Sequence, residues 1–168
     1  MREVVTAKGS EDMRLVREIG VLAYLIATAP VAAVPAPQLF AQRCAMCHQA
    51  GGTGLPGQFP RLAGRVSSIA QSPAGRHYLS LVLLNGMVGK ISADGQSFAG
   101  LMPSMAALPD ADIAAILNHV VQLAPPPKGK KPAPFTVAEI AAARKEGSIG
   151  PTAVGAERAR LAAGGLLP

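Results

Sequence analysis

Large aromatic side chains are scarce in this sequence of 168 residues: four Phe, two Tyr and no Trp, 4% in all. A domain of this length ordinarily fills part of its interior with such rings, so the core as written is short of bulk. Charged residues are also few, at 15%, while hydrophobic residues reach 49%. That balance excludes a disordered acidic or basic tail protein. Only one stretch approaches the length of a membrane span, which excludes a polytopic membrane protein. Cysteine and histidine are limited to two and three. Glycine (18) and proline (15) are abundant instead, and the length fits one domain with some extra.

The few cysteines are not scattered. Cys44 and Cys47 stand in Cys44-Ala45-Met46-Cys47-His48, the C-x-x-C-H spacing of c-type haem attachment. Two thiols three residues apart on a helical turn can add to the two vinyl groups of one haem as thioethers. His48 then lies beneath the ring and offers an imidazole nitrogen to the iron. A thioredoxin-like redox pair would need a βαβ pattern around it, and the flanks show none. A zinc site would draw on Cys44, Cys47 and two of His48, His77 and His119, at spacings that fit no compact zinc module. A plain disulfide before haem loading explains nothing else.

Attachment of this kind implies export, and residues 1–36 read as a signal peptide. Ile19 to Ala29 is an uncharged apolar run behind Arg14 and Arg17, with small residues at Ala27-Thr28-Ala29, Ala32-Ala33 and Ala36 for cleavage. Pro30 and Pro35 make it a poor transmembrane helix; an uncleaved anchor is the alternative. Glu3, Glu11 and Asp12 are unusual ahead of such a run, which points to Met13 as the true start. Further on, a short helix is expected over 37–47, a Gly- and Pro-rich loop over 51–64, and a helix from Pro73 to about Asn85. Ser72 caps that last helix and Gly86 ends it. Lys90 to Ala99 reads as a hairpin around Asp94-Gly95. Asp110 to about Gln122 shows the i, i+3, i+4, i+7, i+8 helical pattern in Ile113, Ile116, Leu117, Val120 and Val121.

Between hairpin and last helix lies Gly100-Leu101-Met102-Pro103-Ser104-Met105. An iron held by one histidine needs a sixth ligand, and a thioether on a stiff loop suits electron transfer. Pro103 keeps Met102 extended. Met105 is the competitor, and either methionine could equally be a soft core filler, the role assigned to Met46 and Met87. His77 and His119 have no carboxylate or cysteine at ligand spacing and are read as surface or capping residues.

These residues resemble, in order, a class I cytochrome c domain over 37–123, an all-α fold of short helices wrapped around one covalent haem. The matching segments are Leu39-Phe40, Cys44 to His48, Phe59-Pro60-Arg61-Leu62-Ala63-Gly64, Gly95-x-x-Phe98-x-Gly100-x-Met102-Pro103 and Leu108-x-Asp110-x-x-Ile113-Ala114. Leu84 to Met105 is similar, more narrowly, to cytochrome domains associated with periplasmic alcohol or sugar dehydrogenases. The resemblance implies thioethers on Cys44 and Cys47, His48 as proximal and Met102 as distal iron ligand, and a Pro60 carbonyl on the other imidazole nitrogen. It also offers Arg61 to a haem propionate. Pro109 stands where the family commonly has a Ser or Thr cap.

Residues 124–135 form a Pro/Lys-rich linker. Residues 136–168 read as a helical extension opening on the capping box Thr136-Val137-Ala138-Glu139, stapled by Phe135 and Ile140. A short helix to about Lys145 and another over Ala156–Ala163 are expected, folding back on the haem domain or remaining a mobile arm. The formal charge is +6. Residues 38–123 contribute +2 (five basic, three acidic) and 124–168 contribute +4 (seven basic, three acidic). The expected protein is therefore a periplasmic one-electron carrier, not an enzyme. It would be steered to an acidic surface on a redox partner such as a periplasmic dehydrogenase or terminal oxidase, at a rate that falls with salt. Without a dense basic face, nucleic acid is not a partner. The competing readings are a fixed cytochrome subunit of a dehydrogenase or oxidase complex, and a haem enzyme or gas sensor with an open sixth position.

Overall fold

Residues 33–167 are described by the computed structural model; the expected signal segment lies outside them apart from residues 33–36. The described part opens with α1 (Ala36–Arg43) and α2 (Ala45–His48). The single helix expected over 37–47 is thus two, broken at Cys44 (φ −125°, ψ −36°). The Cys44 N–H closes α1 on the Phe40 carbonyl, while its own carbonyl receives the N–H groups of Cys47 and His48. The break re-aims the second turn, which carries Cys47 and His48.

A loop leads to α3 (Arg65–Ile69), one turn too short to show in the sequence pattern. Next comes α4 (Pro73–Asn85), whose Ser72 cap accepts the Gly75 N–H at 3.0 Å. Tyr78, Leu79, Val82 and Leu83 are buried along it, but so are Ser80, Leu81, Leu84 and Asn85. A helix covered on all sides needs packing on both faces.

The hairpin is longer than expected: β1 (Met87–Ala93) pairs antiparallel with β2 (Gln96–Met102), from Met87 opposite Met102 to Ala93 opposite Gln96. Asp94 and Gly95 turn it with φ of 51° and 72°, the two left-handed residues of a type I′ turn. The helix α5 (Asp110–Gln122) starts directly after Pro109 with Asp110 and Asp112 in its first turn. Its five expected apolar residues are all buried, and it packs on α1.

The C-terminal extension supplies the second covering layer. In α6 (Val137–Lys145) the Thr136–Glu139 capping box is formed, and Phe135 and Ile140 are both buried. The last helix, α7 (Gly150–Ala163), is longer than expected because Pro151 sets its first turn. It lies against α4 and β1, while α6 lies against α4 and α5. Asn118 and Phe135 exchange a pair of hydrogen bonds, at 2.9 and 2.6 Å. Arg144 bonds Asp110 and the carbonyls of Ala106 and Leu108.

Arg76 is the other clamp. Its guanidinium holds both Glu139 oxygens at 2.8 Å, reaches the Ala133 and Pro134 carbonyls, and lies 4.0 Å from the centroid of the Phe135 ring. Its hydrogen bonds, ahead of those from Thr136, hold the Glu139 carboxyl down at about 2 against a desolvation cost. A depressed carboxylate stabilises the folded state above its ordinary value of 4.5 and loses that contribution as pH falls through about 2. Protection of the α6 amides, measured relative to their intrinsic exchange rates, is therefore expected to fall as pH drops between those values. Arg76→Ala should lower that protection at neutral pH already and flatten its acid dependence.

Candidate functional site

His48 is buried where α2 meets the loop before α3. Its Nδ1–H donates to the Pro60 carbonyl at 2.9 Å. Gly54 permits this approach: at φ +68°, a Cβ on it would stand 2.4 Å from the Phe59 oxygen and 2.7 Å from the Pro60 carbonyl carbon. Burial lowers the His48 pKa, opposed by the bond to Pro60, so the ring is neutral and Nε2 carries a free lone pair. The ring edge meets Phe59, with centroids 6.4 Å apart.

Cys44 and Cys47 are free thiols, half-buried on the same turn. Burial, and secondarily the neighbouring Cys47, push the Cys44 thiol up to about 11. It is therefore a neutral thiol before anything is attached. Among the described residues no group of three or more His, Cys, Asp or Glu is arranged to hold a metal ion.

An apolar cavity joins these residues to the methionine loop. Its walls include Cys44, His48, Met102, Met105, Leu79 and Leu117. Met102 also lines the two neighbouring cavities, one shared with His48 and Pro60 and one running along the hairpin; Met105 lines only the first. The loop is pinned to the end of α4. Ser104 Oγ donates to the Leu84 carbonyl at 2.6 Å, and the Met105 N–H donates to Leu83 at 2.7 Å. Gly86, at φ +70°, lies so close that a Cβ would be 2.4 Å from the Met102 oxygen.

The donor set suits a covalently held haem: two thiols, an imidazole of fixed orientation and a thioether, around an apolar space. Met87 is placed differently, its sulfur 3.5 Å from the donating Tyr78 hydroxyl, and Met46 is 89% exposed, so it is not the core filler expected of it. A residue between two cysteines on an outward turn has no core to fill.

Arg61 lines the cavity shared by His48 and Pro60. It commits its Nε to Asp94 at 3.1 Å and its Nη1 to the Ala63 carbonyl at 2.7 Å. His77 does have a carboxylate neighbour, Glu146 at 3.0 Å, on the exposed seam between α4 and the extension, where sequence spacing could not show it. His119 packs its ring 5.2 Å from that of Phe40.

Sequence reasoning missed Arg65 and Arg158, both buried and both lining that same cavity. Arg65 stands beside Gly64 and Val66, and Arg158 between Glu157 and Ala159 in a charged stretch with Arg160, so neither is singled out by its neighbours.

The cytochrome c family model matches residues 33–124. The chain is 45% identical over 127 residues to a cytochrome c-552 of Thermus thermophilus, covering 74% of this chain and 94% of the relative. It is equally identical, over the same length, to a second cytochrome c-552 from a particular strain of Thermus thermophilus, of which 83% is covered. A cytochrome c domain carries covalent haem c, and Cys44 and Cys47 supply the motif for it. The chain belongs to the cytochrome c family and is a c-type electron-carrier cytochrome.

Proposed function

We propose that His48 and Met102 ligate the iron of a haem attached at Cys44 and Cys47, and that the chain carries single electrons between proteins in the periplasm. The observation that carries this reading is the cavity shared by Cys44, His48 and Met102. Met102 recurs in the two cavities beside it and Met105 does not. When bound, the haem supplies an iron that alternates between ferrous and ferric states.

The protein's part is to keep the ligands in place in both states. Pro60 fixes the His48 ring and raises its basicity. Pro103, the Ser104 anchor on Leu84 and the β1–β2 pairing hold Met102. With His48 and Met102 both holding the iron, no position would remain on it for a substrate, which favours a carrier over an enzyme or a gas sensor.

Export rests on the apolar run of Ile19 to Ala29; among the described residues no helix is long and apolar enough to cross a membrane. The +6 charge favours a partner with an acidic docking surface, such as a periplasmic dehydrogenase or a terminal oxidase.

Carbon monoxide, titrated spectrophotometrically into the reduced holoprotein, is expected to bind slowly and weakly because it must displace Met102. Rapid, tight binding would mean an open sixth position and would overturn the carrier reading.

A further inference from the structure

We propose that Arg65 and Arg158 together bind a haem propionate, so that the C-terminal helix α7 is fastened to the fold through the cofactor. The inference rests on the haem occupying the space between His48 and Met102.

Arg65 is the unexplained residue. Its side chain is 5% exposed. Its Nη2 is buried with no hydrogen-bond partner among the described residues. Its Nη1 reaches Asp94 only at 3.4 Å, longer than a well-formed charge-assisted bond. Arg158 comes in from α7, 7% exposed, and satisfies one nitrogen on the Ser92 carbonyl at 2.6 Å. The two arginines repel: the Arg158 charge, after desolvation, lowers the pKa of Arg65.

One carboxylate serves the whole group, and Asp94 is shared with Arg61. Three guanidinium groups against one carboxylate leave two positive charges. A haem brings two propionates. Buried like charges side by side are costly unless an anion joins them, and a planar fork of donors matches a carboxylate. Both arginines line the cavity that also contains His48, Pro60 and Met102, so the missing anion is one that arrives with the haem. The propionate role expected of Arg61 then passes to Arg65 and Arg158. Arg158 lies beyond residue 124, where the family match ends. The extension thereby completes the cofactor site.

The test uses the holoprotein with Arg65→Met, Arg158→Met and an exposed control, Arg160→Gln. Resonance Raman spectroscopy reads the propionate-bending band, and limited proteolysis reads the hold on α7. Each buried variant is expected to shift the band and to speed cleavage within residues 150–163 by about tenfold, the scale of one lost charge-assisted bond. Arg160→Gln should change neither. If the methionine variants fail to fold, Arg65→Lys and Arg158→Lys keep the charge but lose the fork, and each should shift the band in the same direction by less.

An unmoved band in every folded variant, with the haem still attached and the iron still six-coordinate, would overturn the proposal while leaving the haem reading intact. A melting point that rises with added chloride in the wild type alone would also overturn it, by giving the pocket to a solvent anion. Failure of the wild type to attach haem would instead contradict the haem reading itself.

Discussion

Without its haem, the chain is expected to lose its cooperative thermal transition and most of its helical circular-dichroism signal. Only four Phe and Tyr rings are buried among the described residues, those of Phe40, Tyr78, Phe98 and Phe135. The inward residues of α4 and α5, including Leu79, Val82, Leu83, Ile116, Leu117 and Val120, face a common cavity with His48 and Met102. A flat apolar body held there gives these faces their packing partner. Removing it leaves void and exposed apolar surface in the centre. The helices around it are 4 to 13 residues long, too short to persist alone in water. A folded domain has a margin of about 5–15 kcal/mol, and loss of the central contacts is expected to consume it. The Cys44→Ala/Cys47→Ala double variant, purified free of haem and melted alongside the holoprotein, checks this. A compact, cooperatively melting apoprotein would contradict it.

Alanine at Gly86 or Gly54 is expected to be nearly as damaging, for a different reason. Both glycines sit at positive φ against backbone, not against side-chain tips that can swing away. At Gly86 the added carbon would meet the Met102 oxygen at 2.4 Å, the Ser104 nitrogen at 2.9 Å and the Pro103 carbonyl carbon at 3.0 Å. Strain from the left-handed backbone and overpacking together cost about 2–5 kcal/mol. The melting midpoint should therefore fall by about 10 °C or more. Gly86→Ala displaces the methionine loop, so the reduced holoprotein should also bind carbon monoxide faster. Gly54→Ala displaces the Pro60 carbonyl instead and should act on the His48 side. Gly100, with nothing within 4 Å of a Cβ, is the control: Gly100→Ala should stay within about 0.5 kcal/mol.

Local chemistry was legible wherever it acts over a few residues. The C-x-x-C-H spacing, the Ser72 and Thr136 caps, the Asp94-Gly95 turn and the five-residue stripe of α5 all lie within one turn or two of themselves. The interruption at Cys44 was not legible, because nothing around Phe40 to Cys47 breaks a helix by propensity. The full length of the hairpin was hidden as well. Residues 88–90 of β1 are exposed and only Ala93 is buried, so no alternation marks that strand.

The most consequential omission joins residues far apart in the chain. Arg65 and Arg158 converge only because α7 crosses α4 and β1, and no spacing rule reaches that far. Arg76 with Glu139, and His77 with Glu146, are invisible to the sequence for the same reason. The extension itself could be read as helical, but its docking depends on the second apolar face of α4. In the sequence that face, with Leu81 and Leu84, looks like surplus hydrophobicity.

The ligand pair is tested most directly by the sulfur-to-iron charge-transfer band of the ferric holoprotein, recorded for the wild type, Met102→Ala and Met105→Ala. The band should be present in the wild type and in Met105→Ala and absent from Met102→Ala, with haem attached in all three. Its absence from the wild type, or its loss in Met105→Ala and survival in Met102→Ala, would contradict a carrier built on His48 and Met102.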